Sequence, residues 1–435
     1  MKFTHRARTK VLAGITIAAL FAAACSDDEK ADTSTTPGTD SSVVTSDSTA
    51  TTDPAEVDPL GEPNPATGDP ILVGVINEGG GDTVNQQSEN TLAGIKIAAD
   101  YVNEYLGGIA GHPIEIVSCG NKNTPAGAVD CANQLVEQKV AFYVQPYSGF
   151  EADIAKILTA AGIPMINSSS SSSEGLTLPG AFALSSGYPG TLGAMAIDAK
   201  ANGVKKFAML VTDVPAATGA AQALGGMTFG KMGVEYEIVT VPLGTADFTP
   251  MLQAAVSSGA DAIGITGDAT FCSAALQAYK TLGLDAALYP ISVCLDPTVI
   301  ESSGDVLDGA RVATLRVPDT EDEVIFNAAV AKFGDSGLEV NLAGGVADGY
   351  AALLSAVRAF AGYTGDIDNA SIMAAMKAAA DIEMPFTGGL TYTCDGTAIS
   401  ILANVCSAQF SMATVAADGT LSDFTQVDAS EAYAA

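Results

Sequence analysis

The side chains able to do chemistry in this chain are few, and their spacing favours binding over catalysis. Histidine occurs only as His5 and His112. No HExxH helix, no pair of imidazole ligands and no Ser/His/Asp relay can therefore be assembled, unless His112 supplies the last. No nucleophile-elbow pattern precedes a helix, so an exported hydrolase is the weakest of the function classes and the chain is read as a non-enzyme. Cysteine is richer. Cys25 stands alone near the start, and the other six fall into three close pairs: Cys119 with Cys131, Cys272 with Cys294, and Cys394 with Cys406. An even set of thiols favours disulfides wherever the compartment is oxidising, although six cysteines formally allow many connectivities and a structural zinc site is the rival. Zinc sites use CxxC spacing or a nearby His, and both are missing, so nearest-neighbour disulfides are expected, with no metal and no cofactor. Gly225 to Lys231 fits GxxxxGK, but Met232 stands where a phosphate loop needs Ser or Thr, and the run is helical in pattern; it is read as coincidence.

The elements that must position any site follow from periodicity. Ile71–Ile76, Ile114–Val117, Ala141–Val144 and Ile163–Ile166 are short β-branched runs, separated by Ala-rich stretches with helical spacing, such as Ile95, Ala98, Ala99 and Val102. A second series runs from Phe207–Val211 through Val234–Val241 and Ala262–Ile265, with helices after Thr249-Pro250 and over Ala274–Leu282. Strand and helix in alternation imply parallel sheets covered on both faces, here in two α/β lobes. Two helical stretches follow, Glu321–Phe333 and Val346–Phe360, and then Leu390–Cys394 and Ala408–Ala413, which alternate like antiparallel strands. In open parallel sheets ligands bind beyond the carboxyl ends of the strands. The loops there are small and polar: Asn77 to Gly81, Tyr147-Ser148-Gly149, Asn167 with Ser168 to Ser173, Thr212-Asp213, Gly267 to Thr270, and Cys294-Leu295-Asp296.

Composition narrows the partners. The 435 residues are 48% hydrophobic, enough for real cores, and carry a net charge of -31. Such a chain is repelled by nucleic acid and by anionic lipid surfaces, so neither is an expected partner. Lys2, Arg6, Arg8 and Lys10 precede an apolar run of 14 residues, Val11–Ala24; this is shorter than the ~20 residues that span a bilayer and reads as a signal peptide. Ala22-Ala23-Ala24-Cys25, followed by Ser26-Asp27-Asp28, resembles a bacterial lipobox, with Ala22 where Leu is usual; Cys25 is then the lipidated mature N-terminus. Ordinary secretion after an A-x-A site is the alternative. Residues 26–68, built from Ser, Thr, Asp, Pro and Ala, read as an acidic tether.

One long run identifies a resemblance. Gly94 to Ala99, Asn103, and Leu106-Gly-Gly-Ile-Ala-Gly-His-Pro-Ile-Glu-Ile-Val117 are similar to the first helix and second strand of type I periplasmic solute-binding proteins, the leucine/isoleucine/valine-binding group. Ala161–Ile166 ahead of the Ser tract, Gly244 with Asp247-Phe248, Gly259-Ala-Asp261 and Leu282-Gly-Leu284 recur in that family's order. The resemblance implies a two-lobed α/β fold with a ligand cleft between lobes, the lobes being residues 69–187 plus 318–385 and 188–317 plus 386–435. Crossings are implied near Gly187, Val317 and Pro385. It implies capture of a small polar solute, a branched-chain or other amino acid first, and delivery to an ABC importer's permease from the extracytoplasmic face of the plasma membrane. An amide, a urea-like solute or a small carboxylic acid is the alternative ligand, and a ligand-sensing receptor module the alternative role. The implied site takes Ser148 and the backbone and hydroxyls of Ser170, Ser171 and Ser172 to a carboxylate, with Ser148 opening the helix that carries Ile154. An acid of the second lobe takes an ammonium, Asp296 or Asp268. Asn77 and Asp213 stand in cleft loops, and Tyr147 and Tyr350 are candidate aromatic walls. Each Asp, and Ser148, is equally suited to capping a helix.

Overall fold

The computed structural model describes residues 58–80, 85–338 and 340–434. The signal peptide, Cys25, residues 26–57 of the tether, and Gly81 of the first cleft loop lie outside the described residues. Residues 58–68, read from sequence as tether, are instead seated on the body: Leu60 is buried, and the Asn64, Ala66 and Gly68 amides donate to the Glu104, Asn103 and Gly111 carbonyls. The first half of the fold is β1 (Ile71–Asn77), α1 (Gln86–Tyr105), β2 (Ile114–Gly120), α2 (Pro125–Gln138), β3 (Phe142–Gln145), α3 (Glu151–Ala160), β4 (Met165–Asn167), α4 (Ser173–Thr177) and β5 (Ala181–Ala183). Its strands form one parallel sheet in the order β2-β1-β3-β4-β5. The helices start where the sequence offers caps. The Asn85 side chain accepts from the Ser88 amide at the head of α1, and Thr124 accepts from Gly127 ahead of Pro125 in α2.

The second half repeats the pattern. It contains α5 (Gly187–Ala201), β6 (Lys206–Thr212), α6 (Pro215–Ala220), α7 (Gly226–Met232), β7 (Glu235–Val241), α8 (Thr249–Ser257), β8 (Ala262–Thr266), α9 (Ala269–Leu282), β9 (Ala287–Pro290), α10 (Pro297–Ser303) and β10 (Arg311–Thr314). The second parallel sheet runs β7-β6-β8-β9. A π-helical turn over Ala221–Gly225 joins α6 to α7, so the Gly225–Lys231 run lies on helix and forms no phosphate loop. The chain then returns to the first half with α11 (Glu321–Phe333), α12 (Gly345–Arg358) and α13 (Asn369–Ala378), and closes with β11 (Ile382–Glu383), β12 (Thr391–Tyr392), β13 (Gln409–Val415) and β14 (Leu421–Asp428). β13 pairs antiparallel with β10 and β14, and β11 with β12.

The central strands β1, β3, β4, β6 and β8 are buried on both faces, which is why they read as apolar runs. One core packs Val73, Val75, Phe142 and Val144 against Ile95 and Val102 of α1 and Val346 and Leu353 of α12. Another packs Leu210, Ile263 and Ile265 against Leu276, Val312 and Ala413. Leu390, Tyr392, Cys394 and Cys406 belong to the first core, so the chain's last return to the second comes later than Pro385. Helices α1 and α12 approach so closely that a Cβ on Gly94 would strike the Val346 carbonyl, and one on Gly349 the Thr91 carbonyl. Only glycine permits that backbone contact.

Three disulfides form between nearest-neighbour cysteines, Cys119–Cys131, Cys272–Cys294 and Cys394–Cys406, with Cα separations of 5.5, 5.2 and 4.3 Å. Among the described residues no cluster of His, Cys, Asp and Glu could hold a metal, and no helix is long and apolar enough to cross a membrane.

Candidate functional site

The carboxyl ends of both parallel sheets open onto one cavity of about 510 Å³, within the ~300–1,000 Å³ typical of small-molecule sites. From the first half come Tyr147 after β3, Ser168 and Ser169 after β4, and Leu184 and Ser185 after β5. From the second come Thr191 of α5 and the turn Ser292, Val293 and Leu295 that follows β9. The connecting segments add Thr314, Leu315 and Arg316 at the end of β10, with Met384 and Thr387, and α12 presents Asp348, Ala351 and Ser355. A small recess of about 30 Å³, lined by Glu78, Gln87, Ser88 and Tyr147 among others, adjoins it.

The cavity is mostly apolar with hydroxyls set into it. Ser168, Ser169, Ser292 and Ser355 line it, and their hydroxyls bond no protein group among the described residues, whereas the Thr314 and Thr387 hydroxyls are engaged by backbone. Among the described residues its charged lining is one ion pair, Arg316 Nη2 to Asp348 Oδ1 at 2.8 Å. The guanidinium also lies 5.4 Å from the centre of the Phe386 ring, a cation–π arrangement. Burial pushes the Asp348 carboxyl above its ordinary range, and the Arg316 charge offsets only part of that push. Burial, followed by the Asp348 and Glu78 carboxylates, pushes the Tyr147 phenol up as well.

Several residues singled out from sequence stand elsewhere. Ser148 is buried beside the cavity, but it does not open α3, whose first residue is Glu151 after Phe150. The Ser148 hydroxyl donates to Glu78 Oε1 at 2.8 Å, and the Gly149 amide to the same oxygen at 2.6 Å. The Ser tract is likewise engaged. The amides of Ser171 and Ser172 both donate to Glu151 Oε2 at 2.9 Å, Asn167 donates to Glu151 Oε1, and Ser172 caps α4. Glu151 is 1% exposed. Two of the protein's own carboxylates thus fill the donors expected for a solute carboxylate, and the tract meets the cavity two residues earlier, through Ser168 and Ser169. Ser170, Ser171 and Ser172 do not line it.

The second-lobe acids fold back on their own chain. Asp268 accepts from the Phe271 amide at the head of α9, and Asp296 accepts from the Thr298 amide and hydroxyl. Asp213 is exposed after β6, and none of the three lines the cavity. Asn77 is buried, tying the end of β1 to Ser88 and Glu89 of α1. Tyr350 is wholly buried among Tyr101, Phe326 and Phe386, two residues and hence about 200° around α12 from Asp348. Of the two aromatic candidates only Tyr147, 51% exposed, is a cavity wall. The acid and cation that sequence reasoning missed, Asp348 and Arg316, had a signal. Asp348, Ala351 and Ser355 share the i, i+3, i+7 face of a helix, and Arg316 is one of five arginines in the chain.

The disulfide Cys272–Cys294 anchors the turn that supplies Ser292, Val293 and Leu295 to α9, so one covalent link holds part of the cavity wall.

Comparison with known proteins agrees with this architecture. The profile of a family described as periplasmic binding protein matches residues 70–409. No curated protein matches the chain in sequence. Among solved structures, the Streptococcus pneumoniae branched-chain amino acid transporter substrate-binding protein, in complex with isoleucine, is similar at TM-score 0.61 and 20% identity over 82% of this chain and 99% of that one. A leucine-binding protein from Thermotoga maritima is similar at 0.62 and 18%, over 82% and 97%. An ABC transporter solute-binding protein from R. palustris, in complex with 4-hydroxybenzoate, is similar at 0.64 and 22%, over 82% and 96%. At these identities the likeness is one of fold.

Proposed function

Since the chain belongs to the periplasmic binding protein family, and is therefore a solute-binding protein and not an enzyme, we propose that it captures an α-amino acid of the branched-chain type and delivers it to an ABC importer. The observation that carries this reading is the cavity of about 510 Å³ at the carboxyl ends of both sheets, apolar in the main, with hydroxyls unpartnered among the described residues and one ion pair. Its leucine- and isoleucine-binding relatives share the fold. The two lobes are residues 69–187 plus 318–406 and 188–317 plus 407–435, the stretch through Cys406 belonging to the first core, and solute closes them by contacts made on both sides at once. Residues 1–24 direct export, and Cys25 carries the lipid that holds the body on the extracytoplasmic face of the plasma membrane through an acidic tether.

One other solute class has support: the R. palustris relative was solved with a monocarboxylate, and Arg316 lines the cavity here. Thermal unfolding of residues 26–435 against amino acids, aromatic acids, amides and urea derivatives separates the classes. A ligand at ~1,000 times its Kd adds about 4 kcal/mol, which raises Tm by several degrees. A flat response to every amino acid, after removal of copurified solute by partial unfolding, would sink the amino-acid reading.

A further inference from the structure

We infer that the Arg316–Asp348 pair is the charge-recognition element of the cavity, opened by a zwitterionic solute whose carboxylate takes the Arg316 guanidinium and whose ammonium takes Asp348. This rests on the reading of the cavity as a solute site and goes further by assigning the charged contacts.

The geometry supports an exchangeable pair on fixed supports. Arg316 and Asp348 touch at 2.8 Å with each side chain one-quarter exposed, so neither is sealed from an entering solute. Arg316 stays in place without its partner. Its amide donates to Thr314 Oγ1 at 2.9 Å, its guanidinium sits over Phe386, and the next residue, Val317, donates its amide to the Phe386 carbonyl at 2.7 Å. Asp348 is fixed from the other side, because the backbone contact between Gly349 and Thr91 sets the rotation of α12. The guanidinium is a planar fork suited to a carboxylate, and the Asp348 carboxyl has no other hydrogen-bond partner among the described residues.

Charge balance selects the solute class. The donors around Ser148 and in the Ser tract already hold Glu78 and Glu151, so a solute carboxylate finds one cation among the described lining residues, and that cation is already neutralised. A zwitterion exchanges with the pair and leaves the cavity neutral. A monoanion adds an uncompensated negative charge beside Asp348, with Glu78 in the adjoining recess, and buried like charges are costly. The aliphatic remainder of the solute meets Leu184, Leu295, Leu315, Leu342 and Met384.

The test is calorimetric titration of the mature chain and of Asp348→Asn and Arg316→Gln with L-leucine, L-isoleucine and 4-hydroxybenzoate. Charge-assisted hydrogen bonds are worth about 1.5–3 kcal/mol each, so wild type is expected to bind an amino acid and each variant to weaken it roughly 10- to 150-fold. Asp348→Asn, with Arg316 released, is expected to gain affinity for 4-hydroxybenzoate, a gain that a misfolded protein cannot show. Amino-acid binding unchanged in both variants would overturn the assignment and leave the proposed function standing. Tight 4-hydroxybenzoate binding by wild type, unimproved in Asp348→Asn, would overturn the zwitterion selection. No amino-acid binding by wild type would overturn both.

Discussion

Replacing Gly349 with alanine adds one methyl group where two helix backbones touch. The new Cβ would lie 2.9 Å from the Thr91 carbonyl carbon and 3.0 Å from the Ile95 nitrogen, with the Thr91 oxygen nearer still. All three obstacles are main chain, so no side chain can rotate away. α1 and α12 must part by roughly 1 Å, and a gap of that size forfeits a quarter to a half of each contact it opens. Overpacking of this kind costs about 1–3 kcal/mol, and the rigid obstacle places Gly349→Ala near the top of that range. The gain in helix propensity from Gly to Ala returns about 1 kcal/mol. The net is a loss of about 2 kcal/mol, or a fall in Tm of roughly 4–8 °C at ~2–4 °C per kcal/mol. Gly230→Ala is the matched control, since a Cβ there meets nothing within 4 Å on an exposed face of α7, and it is expected to stabilise by up to ~1 kcal/mol. Paired thermal melts read the two signs. Equal or greater stability in Gly349→Ala would refute the backbone-contact account, and with it the reason for the position of Asp348.

Glu151→Gln sets an amide opposite the donors of Ser171, Ser172 and Asn167 and is expected to cost about 2–4 kcal/mol in urea unfolding; a loss below the noise would show that these donors are satisfied in another way. Removal of Cys272–Cys294 as the double serine variant is expected to cost about 3 kcal/mol for its 22-residue separation. Because that link holds Ser292–Leu295, solute affinity should fall with it, and unchanged affinity would separate the disulfide from the cavity. The Glu174 carboxyl is held at about 2, first by its hydrogen bond from Lys156 and next by that from Ser173. A depressed folded pKa stabilises above the unfolded value of 4.5 and loses that contribution as pH falls toward 2. Melts of wild type and Glu174→Gln should therefore converge across that window, and a constant gap would contradict the linkage.

Much of the fold was legible because the central strands of both sheets are buried on two faces and so stand out as apolar runs between capped helices. β5 and β9 escaped notice: Ala-Phe-Ala and Ala-Leu-Tyr-Pro are too short to carry a period. The cysteine pairs were legible from order along the chain alone. The site was less so, for a physical reason in each case. Glu151 reaches the Ser171 and Ser172 amides from another element, and no local pattern shows that a protein carboxylate has taken donors that look free. Tyr350 was singled out by residue type, yet the helix turns it inward and turns Asp348 toward the cavity. Asp268 and Asp296 sit at the strand ends where a ligand acid is wanted, and a short side chain there is also within reach of its own helix.

The three disulfides have separations of 12, 22 and 12 residues, and in each the partner is the next cysteine along the chain after the lone Cys25. For a polypeptide emerging N-terminus first into an oxidising compartment, each of the six paired thiols meets its mate before any thiol of another pair still to emerge is in reach. Closing a short loop also loses less entropy than closing a long one. Order of appearance thus does the sorting that a disulfide isomerase does for interleaved pairings, and oxidation can keep step with translocation one crosslink at a time.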